Sequence, residues 1–276
     1  MATTDTEHGR AERAGSGQPA FRCVDLSVEF ESPSGVIRVL DKVDFVVQPG
    51  EFLSILGPSG MGKTTLLRIL GGLQAPASGS NVRYFGEVVE RPPVGAIVVF
   101  QDYGASLLPW RTVQKNVGLG LEGRMSRVDA RLRIAEALEL VGLNDRRNDY
   151  IWHLSGGMQQ RVQIARALAM RPEVLLMDEP FGALDAMTKA QLQDQLLDLQ
   201  RITGVTVIFV THDTEEAVYL SDRVIVLAGR PARVSCRLDI DLPRPRDQVA
   251  TRELPRYLEY RHAVYAALKK GHSDGS

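Results

Sequence analysis

Cysteine is nearly missing: Cys23 and Cys236 are the only two among 276 residues. That is too few for a disulfide framework or a four-thiolate metal site, and a reducing cytoplasm is the compartment such usage fits. Long hydrophobic runs are missing too. Apolar stretches such as Ala96–Phe100 and Val205–Val210 are strand length, far short of the roughly 18 consecutive apolar residues a spanning helix needs, so no membrane crossing is expected of this chain. Neither sign of charge is in excess. With 33 Lys+Arg against 34 Asp+Glu and a net charge of −1, there is no bulk electrostatic case for a nucleic-acid coat protein or a polybasic membrane binder. No internal repeat or heptad run occurs, and no low-complexity block beyond the start. The first twenty residues lack an apolar h-region, do not read as a secretory signal, and are expected to form a disordered tail over residues 1–20. What is present is apolar bulk: 44% hydrophobic residues can build a sizeable core in one large domain or two small ones.

After the tail, β-rich runs alternate with helical patterns. Strands are predicted at Val43–Val47, Glu51–Leu56, Asn81–Phe85 and Ala96–Phe100, with a helix ending near Gly71. From about Gly104 the pattern turns helical, most clearly over Ser126–Val141. There Ser126 and Asp129 form a capping pair, Val128, Leu132, Ala135 and Leu138 are expected to share the apolar face, and Gly142 is a stop. Alternation resumes with Val174–Met177, Leu192–Ile202 and Val205–Val210. This order predicts an α/β core with a mostly parallel sheet and an inserted helical subdomain. After Asp241, Leu-Pro-Arg-Pro-Arg reads as an extended linker to a last helix from Pro255, with Tyr257, Tyr260, Val264 and Leu268 at helical spacing. Packing of that stripe on the domain is the favoured reading over contact with a partner.

Three motifs carry chemistry. The first is Gly57-Pro58-Ser59-Gly60-Met61-Gly62-Lys63-Thr64-Thr65, between a predicted strand and a predicted helix. It fits the phosphate-binding loop G-x-x-x-x-G-K-[ST] in the context that motif requires, rather than an incidental Gly-rich turn. Backbone N–H groups and the helix N-terminus converge on phosphate oxygens, Lys63 reaches the β and γ phosphates, and the Thr64 hydroxyl ligates Mg²⁺. The second is Val174-Leu-Leu-Met-Asp178-Glu179. A strand buried on both faces delivers its last residues to the carboxyl edge, where α/β ligands bind. Asp178 is then placed to hold Mg²⁺ and Glu179 to act as general base. Acidic strand ends are common, and it is the pairing with Lys63 that favours the functional reading. The third is Leu154-Ser155-Gly156-Gly157-Met158-Gln159, either an ordinary capped helix start or a second anion site.

That third motif matches the ABC signature, and the chain strongly resembles the nucleotide-binding subunit of an ABC transporter from Phe21 to about Leu242. The resemblance implies a P-loop NTPase fold: a RecA-like core with a mostly parallel sheet, an antiparallel β subdomain and an inserted α-helical subdomain over about 104–170. The ATP-binding domain is expected over 21–242 and a C-terminal linker and helix over 243–276. Gln101 matches the Q-loop glutamine that senses the metal and the attacking water. Ala183-Leu184-Asp185 matches the D-loop, and His212 the switch histidine that contacts the γ-phosphate. Phe30 occupies the place of the aromatic residue that stacks on adenine, or else faces the core. The family's active form is a head-to-tail homodimer with two ATP, in which Ser155 and Gly157 of one subunit meet the γ-phosphate held by Lys63 of the other.

A finer resemblance, carried by Leu107-Leu-Pro-Trp110-Arg-Thr-Val, Asn116-Val, Met177-Asp-Glu-Pro-Phe-Gly-Ala-Leu-Asp-Ala-Met-Thr and the Leu242-Pro-Arg-Pro-Arg tail, is to ATPases of nitrate, sulfonate and taurine importers. It implies an ATPase on the cytoplasmic face of the membrane, with integral membrane permease subunits as partners and an extracytoplasmic solute-binding protein engaged indirectly. The surface around Leu107–Trp110 would take a permease coupling helix, Trp110 being either part of that surface or buried structurally. The competing class is a soluble ABC ATPase acting on nucleic acid or ribosomes. The stretch from Lys63 to Asp178 holds no heptads and no cysteine cluster, which favours the transport motor and no nucleic-acid partner.

Overall fold

Strands that bury alternate residues build one sheet, and strands that bury every residue build the centre of another. The computed structural model describes residues 17–33, 35–101, 103–182 and 184–273. Residues 1–16 of the expected tail and Ala183 of the D-loop match lie outside the described residues. The first sheet joins β1 (Phe21–Ser32), β2 (Gly35–Val47), β4 (Asn81–Tyr84) and β5 (Glu87–Val88) in the antiparallel order β2-β1-β4-β5. The second joins β3 (Phe52–Leu56), β6 (Ala96–Val99), β7 (Val174–Asp178), β8 (Thr206–Thr211), β9 (Arg223–Ala228) and β10 (Arg233–Asp239) in the order β10-β9-β3-β8-β7-β6. Only β10 runs antiparallel to its neighbour.

Period-2 alternation divides the core in two. Phe52, Leu56, Met177 and Phe209 face one side of the parallel sheet, with the helical subdomain and the C-terminal segment. Leu53, Ile55, Leu176, Ile208 and Val210 face the other, where helix α1 (Lys63–Leu70) is packed beneath the antiparallel sheet. The expectations did not include strands at β1, β5, β9 and β10, nor the full length of β2. β1 and β2 pair with register shifts at three places, and such bulges break the alternation by which a strand is recognised.

The helical elements between β6 and β7 are α2 (Tyr103–Ser106), α3 (Val113–Val117), α4 (Arg127–Leu140) and α5 (Gly156–Ala169). Ser126 caps α4 as expected: its hydroxyl accepts from the Asp129 N–H at 3.1 Å and donates to the Asp129 carboxylate at 2.7 Å. Of the expected apolar face only Leu138 is buried. Val128 and Leu132 are 67% and 59% exposed. The buried positions are Ala137 and Leu138, with Ala130 and Ile134 packed against the same core. At 100° per residue, Ala130, Ile134 and Ala137 cluster on the side opposite Val128, Leu132 and Ala135, so a second apolar stripe outcompeted the one that was read.

A polar lattice fastens this subdomain. Asn116 is fully buried, and its amide donates to the carbonyls of Leu108, Arg111 and Thr112. Arg166 of α5 donates to Ser106 O at 2.7 Å, Asn116 O at 3.0 Å and Asn116 Oδ1 at 2.6 Å. Burial, with Arg111 nearby, lowers the guanidinium pKa, yet these neutral acceptors leave few of its donors orphaned.

The remaining helices are α6 (Ala186–Thr203), α7 (Thr214–Leu220), α8 (Ala250–Glu253) and α9 (Pro255–Ser273). Tyr257 and Val264 of α9 are buried in the main core, with Tyr260 and Leu268 packed against it, so the stripe packs on the domain as read. Burial pushes the Tyr257 hydroxyl up to about 12. The preceding linker is tied down: Arg246 donates to Tyr219 O at 2.6 Å and Ser221 O at 2.7 Å.

Candidate active site

The order β3-β8-β7-β6 sets side by side four carboxyl ends that are far apart in sequence. Gly57 follows β3, His212 follows β8, Asp178 ends β7 with Glu179 next, and Gln101 lies just past β6. Register makes this close: Leu56 pairs with Thr211, and Asp178 with Val210.

Gly60 and Gly62 both adopt φ +80°, which the tight loop into α1 needs. A Cβ on Gly62 would stand 2.6 Å from Val39 Cγ1, so the loop also lies hard against β2. Lys63, the first residue of α1, is 5% exposed. Its ammonium donates to the carbonyls of Gly57 at 2.7 Å and Pro58 at 3.0 Å, and lies 3.4 Å from Glu179 Oε1. Met61 turns its side chain into the core and offers the loop its backbone.

Glu179 has φ +42°, unusual for a residue with a side chain and held by its N–H donating to Val210 O at 2.9 Å. The turn places Oε1 toward Lys63 and Oε2 at 2.8 Å from His212 Nδ1. Asp178 is buried, and burial raises its carboxyl pKa, opposed by a hydrogen bond with the Thr64 hydroxyl. A hydroxyl and a carboxylate form a sparse hard-oxygen pair, and no cluster of three metal-ligating side chains occurs among the described residues. That chemistry fits Mg²⁺, which keeps waters and takes phosphate oxygens instead of an all-protein cage.

Together Phe30, Val39, Ser59, Gly60, Gly62, Lys63, Thr64, Thr65, Gln101 and Glu179 line a cleft of about 420 Å³. Phe30 is 41% exposed on its rim, which decides against the core reading. Val39 was missed; the loop it abuts comes from elsewhere in the sequence, so only the fold reveals it.

The signature residues are not on this cleft. Ser155 caps α5, accepting from the Met158 N–H at 3.4 Å. Gly157 is buried so close to α6 that a Cβ would stand 2.5 Å from Thr188 Cγ2. The Gln159 amide turns back to the carbonyls of Ile151 at 3.2 Å and Leu154 at 3.1 Å, bracing the signature turn. Asp185 caps α6, accepting from Met187 N at 3.1 Å and Thr188 N at 3.0 Å, and its hydrogen bond with the Thr188 side chain leads the lowering of its pKa. Gly157 thus packs against the helix that Asp185 caps, and none of Ser155, Gly156, Gly157, Gln159 and Asp185 lines the cleft of the phosphate loop. Trp110 is 69% exposed while Leu107 is buried, so Trp110 belongs to the surface.

Comparison with known proteins identifies relatives over most of the chain. Residues 40–182 match the family described as ABC transporter. The chain is 43% identical over 251 residues to the bicarbonate transport ATP-binding protein CmpD of Synechococcus elongatus, covering 89% of each chain. It is 42% identical over 245 residues to the nitrate import ATP-binding protein NrtD of the same organism, covering 87% of this chain and 88% of that one. Among solved structures, a dimeric ATP-binding cassette in a post-hydrolysis state, bound to ADP and Pi, superposes with a TM-score of 0.69 at 32% identity, covering 80% of this chain and 99% of that one. With a phosphate loop, two strand-end carboxylates and a histidine on one sheet edge, and relatives of this similarity, the chain belongs to the ABC transporter family, as one of its ATPases.

Proposed function

We propose that the chain is the motor subunit of an ABC importer, closing head-to-tail with a second copy around two ATP and driving uptake of a small solute through separate permease subunits at the cytoplasmic membrane face. The observation that carries the chemistry is the Glu179 carboxylate held between Lys63 and His212 at a cleft lined by the phosphate loop. In this reading the loop N–H groups and the α1 N-terminus bind the triphosphate, and Lys63 moves from its carbonyl partners to the β and γ oxygens. Phe30 stacks on adenine. Gln101 positions the attacking water and Glu179 accepts its proton as the water oxygen adds in line to the γ-phosphorus, with Lys63 and His212 offsetting the charge that develops. Thr64, Asp178 and Gln101 would hold Mg²⁺, which supplies charge neutralisation at the phosphates when bound.

Ser155, Gly156, Gly157 and Asp185 sit off their own cleft, which supports completion of each site by a partner subunit. The solute is proposed only as a class, of nitrate, sulfonate or taurine type. Relatives named for nitrate and bicarbonate are almost equally similar, as expected if the solute is chosen by an extracytoplasmic binding protein and the permease rather than here. No helix among the described residues is long and apolar enough to cross a membrane, consistent with a pore supplied by other chains.

The permease is proposed to dock on the surface around exposed Trp110. Affinity capture from detergent-solubilised membranes of the source cell should recover an integral membrane protein that alters the ATPase rate when reconstituted with the chain. Trp110→Glu should abolish that recovery without changing basal hydrolysis more than about twofold. Recovery of ribosomes or nucleic acid in place of a membrane protein contradicts the transport reading.

A further inference from the structure

We propose that Lys189 is a positioning residue for His212, acting through Asp213 and Glu216; the inference rests on the reading of His212 and Glu179 as hydrolytic groups. Lys189 lies on α6, one turn beyond the Asp185 cap, and is not among the residues lining the nucleotide cleft. Its ammonium is 2.6 Å from Asp213 Oδ2 and 2.7 Å from Glu216 Oε1. Glu216 also accepts from the Thr211 hydroxyl, and the same hydroxyl accepts from the Asp213 N–H at 3.0 Å. The residues on either side of His212 are therefore bound to each other, and each is tied to one cation, Asp213 directly and Thr211 through Glu216.

His212 itself is half exposed, and the contact that orients its ring is Glu179 Oε2 at 2.8 Å. An imidazole with so little packing takes its position from the backbone that carries it, and that backbone is held by Lys189. The other Asp213 oxygen caps α7, accepting from Glu215 N at 2.8 Å and Glu216 N at 3.3 Å, so loop and helix are fixed together. Glu216 is 4% exposed, and burial pushes its carboxyl pKa up while Lys189 and Thr211 oppose that rise. Without the ammonium, Glu216 is left as a buried carboxyl with no cation, and the turn has reason to rearrange. Because Asp185 caps α6, the same contact ties the D-loop helix to the histidine loop.

The test is a cycle of variants of the full chain, measured for steady-state ATP hydrolysis and ATP affinity: Lys189→Met, Lys189→Arg, His212→Ala and the double variant Lys189→Met/His212→Ala. Lys189→Met should lower kcat by about tenfold or more with ATP affinity within about twofold, and Lys189→Arg should restore at least about half the rate. In the His212→Ala background, Lys189→Met should change the slow residual rate by less than about twofold, because its effect runs through the missing imidazole. An equal loss in both backgrounds overturns the inference. So does a parent-like Lys189→Met beside a slow His212→Ala, which leaves the histidine reading standing. Parent-like hydrolysis by His212→Ala removes that reading and the inference with it. If Lys189→Met does not fold, Asp213→Asn keeps a cap oxygen and weakens the ion pair, and the same dependence on His212 is expected of it.

Discussion

Glu179→Gln is expected to slow ATP hydrolysis by about a thousandfold while ATP binding stays within about threefold of the parent, and to accumulate an ATP-bound dimer. Loss of a positioned general base alone accounts for roughly 10²–10⁴ in rate. The amide replaces the carboxylate at nearly constant shape, so it can still meet His212 Nδ1, now 2.8 Å from Glu179 Oε2. Binding should not suffer, because the change removes a negative charge 3.4 Å from the ammonium of Lys63 and close to where the γ-phosphate would sit. In Glu179→Gln the ammonium loses a competing partner and keeps its loop carbonyls, so nothing in the change weakens its reach to the nucleotide. Single-turnover phosphate release and size measurement with ATP and Mg²⁺ check both halves. Multiple turnovers at the parental rate exclude Glu179 as the base.

Lys63→Ala is expected to weaken ATP binding by a hundredfold or more and to abolish hydrolysis with it. Lys63 is 5% exposed and its ammonium is already paired with two loop carbonyls and Glu179, so its desolvation precedes nucleotide binding. Each charge-assisted hydrogen bond it makes to phosphate is worth roughly 1.5–3 kcal/mol, and two such bonds correspond to at least a hundredfold in affinity. Lys63→Arg should rescue poorly, since a planar guanidinium does not fit where a compact ammonium is enclosed by Gly57 and Pro58. Calorimetric titration with ATP measures the loss. Affinity unchanged in Lys63→Ala would mean that the triphosphate binds elsewhere.

The phosphate loop was legible because its glycines, lysine and threonine are contiguous, and so was the acidic end of β7, an apolar run that is buried at every position. His212 and Gln101 were legible only through resemblance, since a lone histidine or glutamine after a strand carries no local signal. That they share an edge with Lys63 follows from the strand order, which is a long-range property. The face of α4 was misread because Val128, Leu132 and Ala135 keep helical spacing as well as Ala130, Ile134 and Ala137 do, and only tertiary packing chooses between them. Arg166 and Lys189 went unmarked, and the structural role of Asn116 went unread, for a related reason: a buried polar residue looks like a surface residue until its partners, 50 positions away for Arg166 and Asn116 and 24 for Lys189 and Asp213, are brought to it.

Ser155 lies off the cleft of its own chain, so each site is taken to be completed by a second copy, and mixing two inactive variants tests this directly. Lys63→Ala removes the phosphate ligand. Ser155→Asp keeps a good helix cap at Met158 N but sets a carboxylate against the partner's γ-phosphate. Each variant alone should be inactive. In a head-to-tail dimer of the two, one site carries both lesions and the other carries neither, so an equimolar mixture should recover about a quarter of the parental ATPase rate: half the dimers are mixed, each with one intact site. A mixture as inactive as its components would contradict a site shared between subunits.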